Sequence, residues 1–483
     1  MRSAPVPAVL IVLVCAALST QPARGQNPPP QGTATGKLTL STNSPAAREE
    51  FWQGMEDWQT SGYTSGERHF RRAYALDSGF ALAHLFSLGE FQAREQAAER
   101  DRAVADAARQ SMEEGLLALF WREKALGHPA RSRELLRAAM QLMPNEPSIA
   151  VEYLWASLGA NELKPGLDSA RAFRARFPNY TPLAYPIPNL LLAAGDTAAA
   201  VRAAEEYTRV APQSPTAFTN YGFFLQLTRR YDEAEAQFRK GMALPTHPDY
   251  GADPASALAE LYVLRGRPAD ARAVATEALA RATYASDSAM YMTEIAGTYF
   301  AAGDDRKGTQ LLEQARQKSP IIGSAQNPQH VDDLLSEASA MSGDLRSAHA
   351  YVARRHLETA NDSAIVLAIH ATNSAYAGQL DSAVKYSDQL ASIHTVPWSG
   401  AVSHRARGLA LAAAKQCARA KTELAQAPDT ASIEVLTARA DCEFQLGNRA
   451  AALALRDRAM ASLDFTLFDP PTVRARMRLA QMK

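Results

Sequence analysis

With 51 basic and 51 acidic residues among 483, the chain has no excess charge of either sign. A nucleic-acid binder normally carries a basic excess or stripe, so that class of partner is excluded. Long apolar runs are missing too. Past the N-terminus none reaches about 18 residues, which excludes a multi-span membrane protein. Aromatic residues make up 8% of the chain, with 5 Trp, which is thin for a sugar cleft lined by stacking platforms. Signals for β-strands are nearly absent. The motifs of common chemistries are absent as well. No G-x-x-x-x-G-K-[ST] or post-strand G-x-G-x-x-G offers a phosphate cradle. No H-E-x-x-H, C-x-x-C or EF-hand loop offers a metal site, and no G-x-S-x-G offers a nucleophile elbow. The sequence therefore implies no enzyme and no cofactor.

What is present begins with a targeting segment. Arg2 supplies a positive start, Val9 to Leu18 form an apolar core, and Ala23-Arg24-Gly25 places small residues where a signal peptidase reads them. This is the layout of a secretory signal peptide cleaved after Gly25. Val14 is too bulky beside Cys15 for a lipid-attachment site, so lipidation is rejected. Loss of Arg2 and Arg24 leaves 49 basic against 51 acidic residues, a formal charge of −2. The mature chain is expected to be exported, periplasmic or secreted, with no stable membrane insertion. Residues 26–44 (QNPPPQGTATGKLTLSTNS) have no helical period and read as a flexible tether with one short extended piece at Leu38–Ser41.

The remainder repeats. In Pro215–Leu244, Phe218, Tyr221, Gly222 and Leu225 mark one face of a helix. A polar turn, Thr228-Arg229-Arg230, follows. Ala234, Phe238, Gly241 and Met242 then mark the face of a second helix. Small residues at Gly222, Ala234 and Gly241 let the two helices approach closely, and Phe218, Leu225 and Phe238 fill the space between those contacts. The turn recurs at Gly127, Asn161, Gly195, Arg229, Gly266, Gly303, Gly343, Gly378, Lys415 and Gly447, in steps of 34, 34, 34, 37, 37, 40, 35, 37 and 32 residues. Three turns read Gly-Asp (at 195, 303 and 343), a left-handed stop followed by an Asp that caps the next helix. Small residues follow several turns: Ala200, Ala271, Gly308, Ala348, Ala383 and Ala452. Upstream, Gly54, Phe70 and Ala73 mark one more unit, and Phe80–Glu90 with Ala97–Gln110 leave room for a divergent pair.

This helix-turn-helix of about 34 residues resembles the tetratricopeptide repeat (TPR). The opening segments SPAAREEFWQGMEDW, HFRRAYALDSGFALAHLFSLG and SMEEGLLALFWREKAL further resemble a group of exported bacterial TPR-array proteins of undefined function. The likeness runs over about residues 38–320 and implies architecture and location, not chemistry. The expected fold is all-α, a right-handed α-solenoid of about twelve TPR-like hairpins over 45–464. A capping segment at 465–483 follows, whose short basic helix turns Val473, Met477, Ala480 and Gln481 to the array.

In TPR arrays the first helix of each pair lines the concave face, where a protein or peptide partner lies. Trp121, Trp155, Tyr185, Asn189, Phe223 and Gln226, with Thr219 and Glu260, fall on that side. Asn189 and Asn220 resemble the TPR groove that clamps a C-terminal carboxylate, but its Lys and Arg partners are replaced by Asp253 and Ala257. A non-catalytic binding scaffold is the favoured function. An α/α-toroid glycan-active enzyme or a helical sugar-binding envelope protein is the alternative, and an open superhelix rather than a closed ring discriminates between them. Cys417 and Cys442 fall at one level on neighbouring antiparallel helices, where a disulfide would close a loop of about 25 residues. His349 and His356 share a helix face as solvated histidines, His69 is packed or exposed, and Asp332-Asp333 caps a helix start.

Overall fold

The computed structural model describes residues 36–61, 63–89, 96–244, 253–282, 285–318, 328–355, 357, 360–427, 432–460 and 468–482. The signal segment 1–25, residues 26–35 of the tether and the 464/465 boundary lie outside them. No strand occurs among the described residues.

Helices pair in sequence. The first four hairpins join α1 (Pro45–Ser61) to α2 (Tyr63–Leu76), α3 (Ala81–Ser87) to α4 (Ala97–Gln110), α5 (Met112–Ala125) to α6 (Pro129–Leu142), and α7 (Pro147–Gly159) to α8 (Leu163–Arg176). A short 3-10 turn, Thr181–Ala184, leads into α9 (Pro186–Ala193) and α10 (Thr197–Val210). Then come α11 (Pro215–Leu227) with α12 (Tyr231–Ala243), α13 (Pro254–Leu264) with α14 (Pro268–Arg281), and α15 (Ala285–Ala301) with α16 (Asp305–Lys318). Four more pairs follow: α17 (Pro328–Met341) with α18 (Leu345–Val352), α19 (Ala360–Tyr376) with α20 (Leu380–Ala391), α21 (Ser399–Ala413) with α22 (Cys417–Leu424), and α23 (Ile433–Gln445) with α24 (Arg449–Met460). A single helix, α25 (Pro470–Gln481), ends the chain. Among the described residues this makes twelve hairpins, an all-α solenoid.

The turns explain why the pairs form. Each turn residue predicted from the repeat, from Gly127 to Gly447, has positive φ. At Gly195 the φ is 85°, its amide bonds Leu192 O and the Asp196 amide bonds Leu191 O, the double closure that ends a helix in a left-handed residue. Asn161, Arg229 and Lys415 hold the same conformation at φ 57°, 60° and 59° without glycine's freedom. Each stores about 1–2 kcal/mol that the surrounding pair must offset. Arg229 keeps both closing bonds, from its own amide to Gln226 O and from the Arg230 amide to Leu225 O, each 2.9 Å. After three glycine turns the predicted cap is in place: Asp196, Asp304 and Asp344 accept from the amides of Ala199, Lys307 and Ser347.

Packing within a pair depends on missing side chains. A Cβ on Gly222 would stand 2.4 Å from the Phe238 ring, so the ring occupies the space glycine leaves. Ala200, Ala271, Ala348, Ala383 and Ala452 are fully buried at the equivalent contacts. The N-terminal pairs instead interlock aromatics. Phe51, Phe70 and Phe80 are fully buried, and Phe86 stacks on Trp121 with centroids 4.8 Å apart. Each buried ring of this size contributes about 2–3 kcal/mol, which lets α3 persist with less than two full turns.

Two expectations about the ends need correction. Residues 36–44 are not a free tether. Leu38 and Leu40 alternate into the core, the Leu38 amide bonds Glu146, the Ser41 amide bonds Glu114 at 2.6 Å, and Gly36 O accepts from the Asn145 amide at 2.6 Å. Glu114 and Glu146 are buried, and carboxylates in such positions require donors that the strap supplies. The C-terminal helix also does more than cover the last layer. α25 packs on α15, α17 and α23, lying along the inner side of the array. Its buried face is Val473, Ala475, Arg476 and Leu479, while Ala480 and Gln481 are exposed.

Candidate functional site

The first helices of hairpins four to eight line one side of the array, and a cavity of about 350 Å³ opens there. Its wall takes Trp155 from α7 and Asn189 from α9, with Tyr185 just before it. α11 adds Thr219, Asn220, Phe223 and Gln226, and α13 adds Ser256 and Glu260, with Asp253 at its cap. Met290 of α15 and Phe238 of α12 complete it. Seven residues expected on the concave face, Trp155, Tyr185, Asn189, Thr219, Phe223, Gln226 and Glu260, thus converge on one space. Trp121 does not. It is fully buried between Trp58 and Phe86, with Lys124 lying over its ring.

The cavity has an aromatic end and an acidic end. At the first, the Trp155 and Tyr185 rings meet edge-on at 5.2 Å, and Tyr185 stacks on Tyr207. Asn189 donates to Tyr185 O at 3.4 Å, which fixes its amide. At the second, Asp253 caps α13 through the Ala255 amide at 2.8 Å and accepts from the Tyr291 hydroxyl. Ser256 donates to Glu294 Oε1. The other oxygen, Glu294 Oε2, is buried without a hydrogen-bond partner, and so is Asn220 Oδ1. Burial pushes Asp253 up to about 6, with Asp287 adding to it, and pushes Glu260 up to about 7. Glu294 is raised well above the usual carboxylate range by burial first, and then by the charges of Asp253 and Glu260. Among the described residues none of the three makes an ion pair.

Glu294 and Ser256 were not legible as site residues. One signal existed: Asp253, Ser256 and Glu260 stand at i, i+3 and i+7 on an otherwise apolar helix, one polar stripe on a buried face.

Other sequence candidates resolve as structure. His69 bridges Glu50 at 2.6 Å and Asp57 at 3.1 Å, tying α1 to α2. His349 is half-buried rather than fully solvated. It packs on His370 with centroids 4.3 Å apart, and His356 lies outside the described residues. Asp332 caps nothing. It pairs with Arg316 and with Arg354 at 2.9 Å, while Asp333 pairs with Arg355, so the two acids fasten α17 to its neighbours. Cys417 and Cys442 lie buried and unbridged in this structure, in one cluster with Leu411 and Ala420. Burial, then a hydrogen bond with Cys417, pushes the Cys442 thiol up to about 12.

No protein-family model and no curated protein matches the chain. Solved structures do match. A thermophilic TPR protein of Thermus thermophilus is 24% identical and aligns over 38% of this chain and 98% of its own, with a TM-score of 0.32. PilW, a type IV pilus biogenesis factor, is 16% identical over 45% of this chain and 96% of its own, TM-score 0.34. Human IFIT1 is 13% identical over 86% of this chain and 98% of its own, TM-score 0.40. The hairpins are TPR-like. That likeness is one of repeat type, seen in the left-handed turns and small-residue contacts described above, and it carries no ligand with it. No helix of this TPR-like array is long and apolar enough, among the described residues, to cross a membrane.

Proposed function

We propose that the chain is a non-catalytic scaffold of the bacterial cell envelope that holds a protein or peptide on the concave side of its TPR-like array. The observation that carries this reading is the cavity itself: successive first helices contribute aromatic and amide side chains to one continuous wall. Half-exposed Trp and Tyr anchors beside unsatisfied polar atoms are the usual makings of a binding hot spot. A scaffold is favoured over a toroid enzyme because the hairpins run on past the contact of first with eighth: Arg68 stands 3.6 Å from Asp287, and four more hairpins follow.

A photo-crosslinking amino acid at Asn189, in the full chain expressed with its N-terminus in a bacterial envelope, tests this. A discrete partner should be captured from position 189 and displaced by a peptide derived from it, while the same group at exposed Arg171 captures nothing comparable. Equal labelling from both positions would remove the groove from consideration. In the same experiment, Phe223→Ala should weaken the partner by about tenfold or more, the loss of one aromatic anchor.

Export and the disulfide belong to this proposal. The mature chain should begin at Gln26. Cys417 and Cys442 should be joined by exchange with an oxidised dithiol donor, two thiols giving up two protons and two electrons to form one S–S bond. The high pKa of Cys442 disfavours its thiolate, so the exchange belongs to folding rather than to the finished core. Mass spectrometry of the exported protein after alkylation in denaturant reads both. A mature start elsewhere or two alkylated cysteines would overturn the respective claim.

A further inference from the structure

The unsatisfied groups at the acidic end of the cavity are all acceptors. Glu294 is only 4% exposed, and its Oε2 has no donor. Its Oε1 is held by Ser256, a wall residue, and Met290 one turn earlier on α15 is a wall residue too. The carboxylate therefore sits directly behind the cavity surface. Glu260 borders the cavity with no hydrogen bond and no ion pair among the described residues, and Asn220 Oδ1 is a third acceptor without a donor. An unmet donor or acceptor in such a place costs about 1–3 kcal/mol, more when charged, so the two buried acceptors, with Glu260 at the cavity surface, call for one donor-rich occupant. A metal ion does not suit: no three His, Cys, Asp or Glu among the described residues converge closely enough to hold one. A space of about 350 Å³ with aromatic rings at its far end suits a larger cation on an apolar stem.

The chain carries an example of such recognition. Along the inner side of hairpins eight to twelve lies α25, a helix with arginines at 474, 476 and 478. Arg474 pairs with Asp305, and Arg478 pairs with Asp441 at 2.5 Å. Where the chain's own basic helix lies, arginine thus meets carboxylate, and in the cavity Glu260 and Glu294 make no ion pair among the described residues.

Resting on the reading that the groove takes a polypeptide, we propose that this cavity binds an organic cation, the alkylammonium or guanidinium group of a basic side chain. Glu260 and Glu294 supply the counter-charge, with Asp253 beside them. Trp155, Tyr185 and Phe223 pack the apolar stem, and Asn220 accepts one of its N–H groups. Lysine offers three donors and arginine five, enough to satisfy every open acceptor.

The test uses the full mature chain and nonapeptide pools with a central Lys, Arg or norleucine and randomised flanks, alongside free agmatine and cadaverine. Binding is measured by calorimetry and by Trp fluorescence. Lys or Arg pools should bind at least about tenfold tighter than norleucine, and Glu260→Gln and Glu294→Gln should each abolish that preference while retaining the helical spectrum. If all pools bind alike, the cation site is wrong and the polypeptide groove stands. If agmatine or cadaverine binds and loses affinity in Glu260→Gln while no pool binds, the cation site stands and the polypeptide reading falls. If neither pools nor free amines bind, the cation site is overturned.

Discussion

Replacing Leu479 by aspartate is expected to split the unfolding of the array into two steps, with the C-terminal hairpins melting first. Leu479 is fully buried against Ile433, Leu436, Ala440 and Ala459 of the last hairpin. On the same helix Val473 packs with Val331, Leu334, Leu335 and Phe300 of hairpins eight and nine. α25 therefore braces hairpins that are not neighbours in sequence. In a stacked-repeat protein stability is a sum of repeat and nearest-neighbour terms, so a brace across several repeats is what lets the C-terminal half unfold as one unit with the rest. Losing a buried leucine costs about 2–5 kcal/mol, and forcing a carboxylate into its place adds several more. Thermal unfolding followed by circular dichroism should then show two transitions. Hydrogen exchange should speed up in α17 to α24 and remain slow in α5 to α12. Arg478→Ala, at a side chain 62% exposed, should shift stability by about 1 kcal/mol or less. A single transition at the wild-type midpoint for Leu479→Asp would show that α25 is not a brace.

The same helix marks where sequence reading runs out. The repeat was legible because its signals are local. A left-handed stop, a cap three residues before the amide it meets, and a small residue where two helices touch each depend on the few residues around them. Even Arg229 and Lys415 were found by spacing, although nothing about arginine or lysine favours positive φ. Long-range contacts left weaker traces. Leu38 and Leu40 lie in a polar stretch, and partners far along the chain, the buried carboxylates of Glu114 and Glu146 among them, hold that stretch down. Trp121 shares the helical position of groove residues, but Trp58 and Phe86, from elsewhere in the chain, enclose it. Of the acidic cavity, Glu260 was placed on the right face and Asp253 was noticed only as a missing cation. Glu294 joins them from the next hairpin, a contact that no spacing within one helix reveals.

Glu260 carries the second large effect. In the unliganded protein Glu260→Gln should leave stability nearly unchanged at about pH 4.5 and raise it by up to about 3 kcal/mol at about pH 8. The carboxyl titrates near 4.5 when exposed and at about 7 in the cavity, where burial penalises its charge. Below the lower value both states hold the proton and the residue contributes nothing. Between the two values the folded state keeps a proton that the unfolded state has released, so stability falls as pH rises, and the whole penalty is in place above about 7. Glutamine keeps the size and never ionises, so it removes the penalty only where there is one. Burial alone accounts for the shift of Glu260. Of the groups nearby, Glu294 is disfavoured by the charges of Asp253 and Glu260, Asp253 is bonded by Tyr291 and partly offset by Arg281, and Asp287 is paired with Arg68. Losing the Glu260 charge also relieves Glu294, whose own charge it disfavours, so the two carboxyls titrate as a linked pair. Urea unfolding of both proteins at the two pH values measures it. An equal difference at both, or a loss at pH 8, would mean that the carboxylate already has a partner. A bound organic cation should reverse the sign, favouring the ionised wild type over the glutamine variant at pH 8. The residue that weakens the empty array is then the one that reads its ligand.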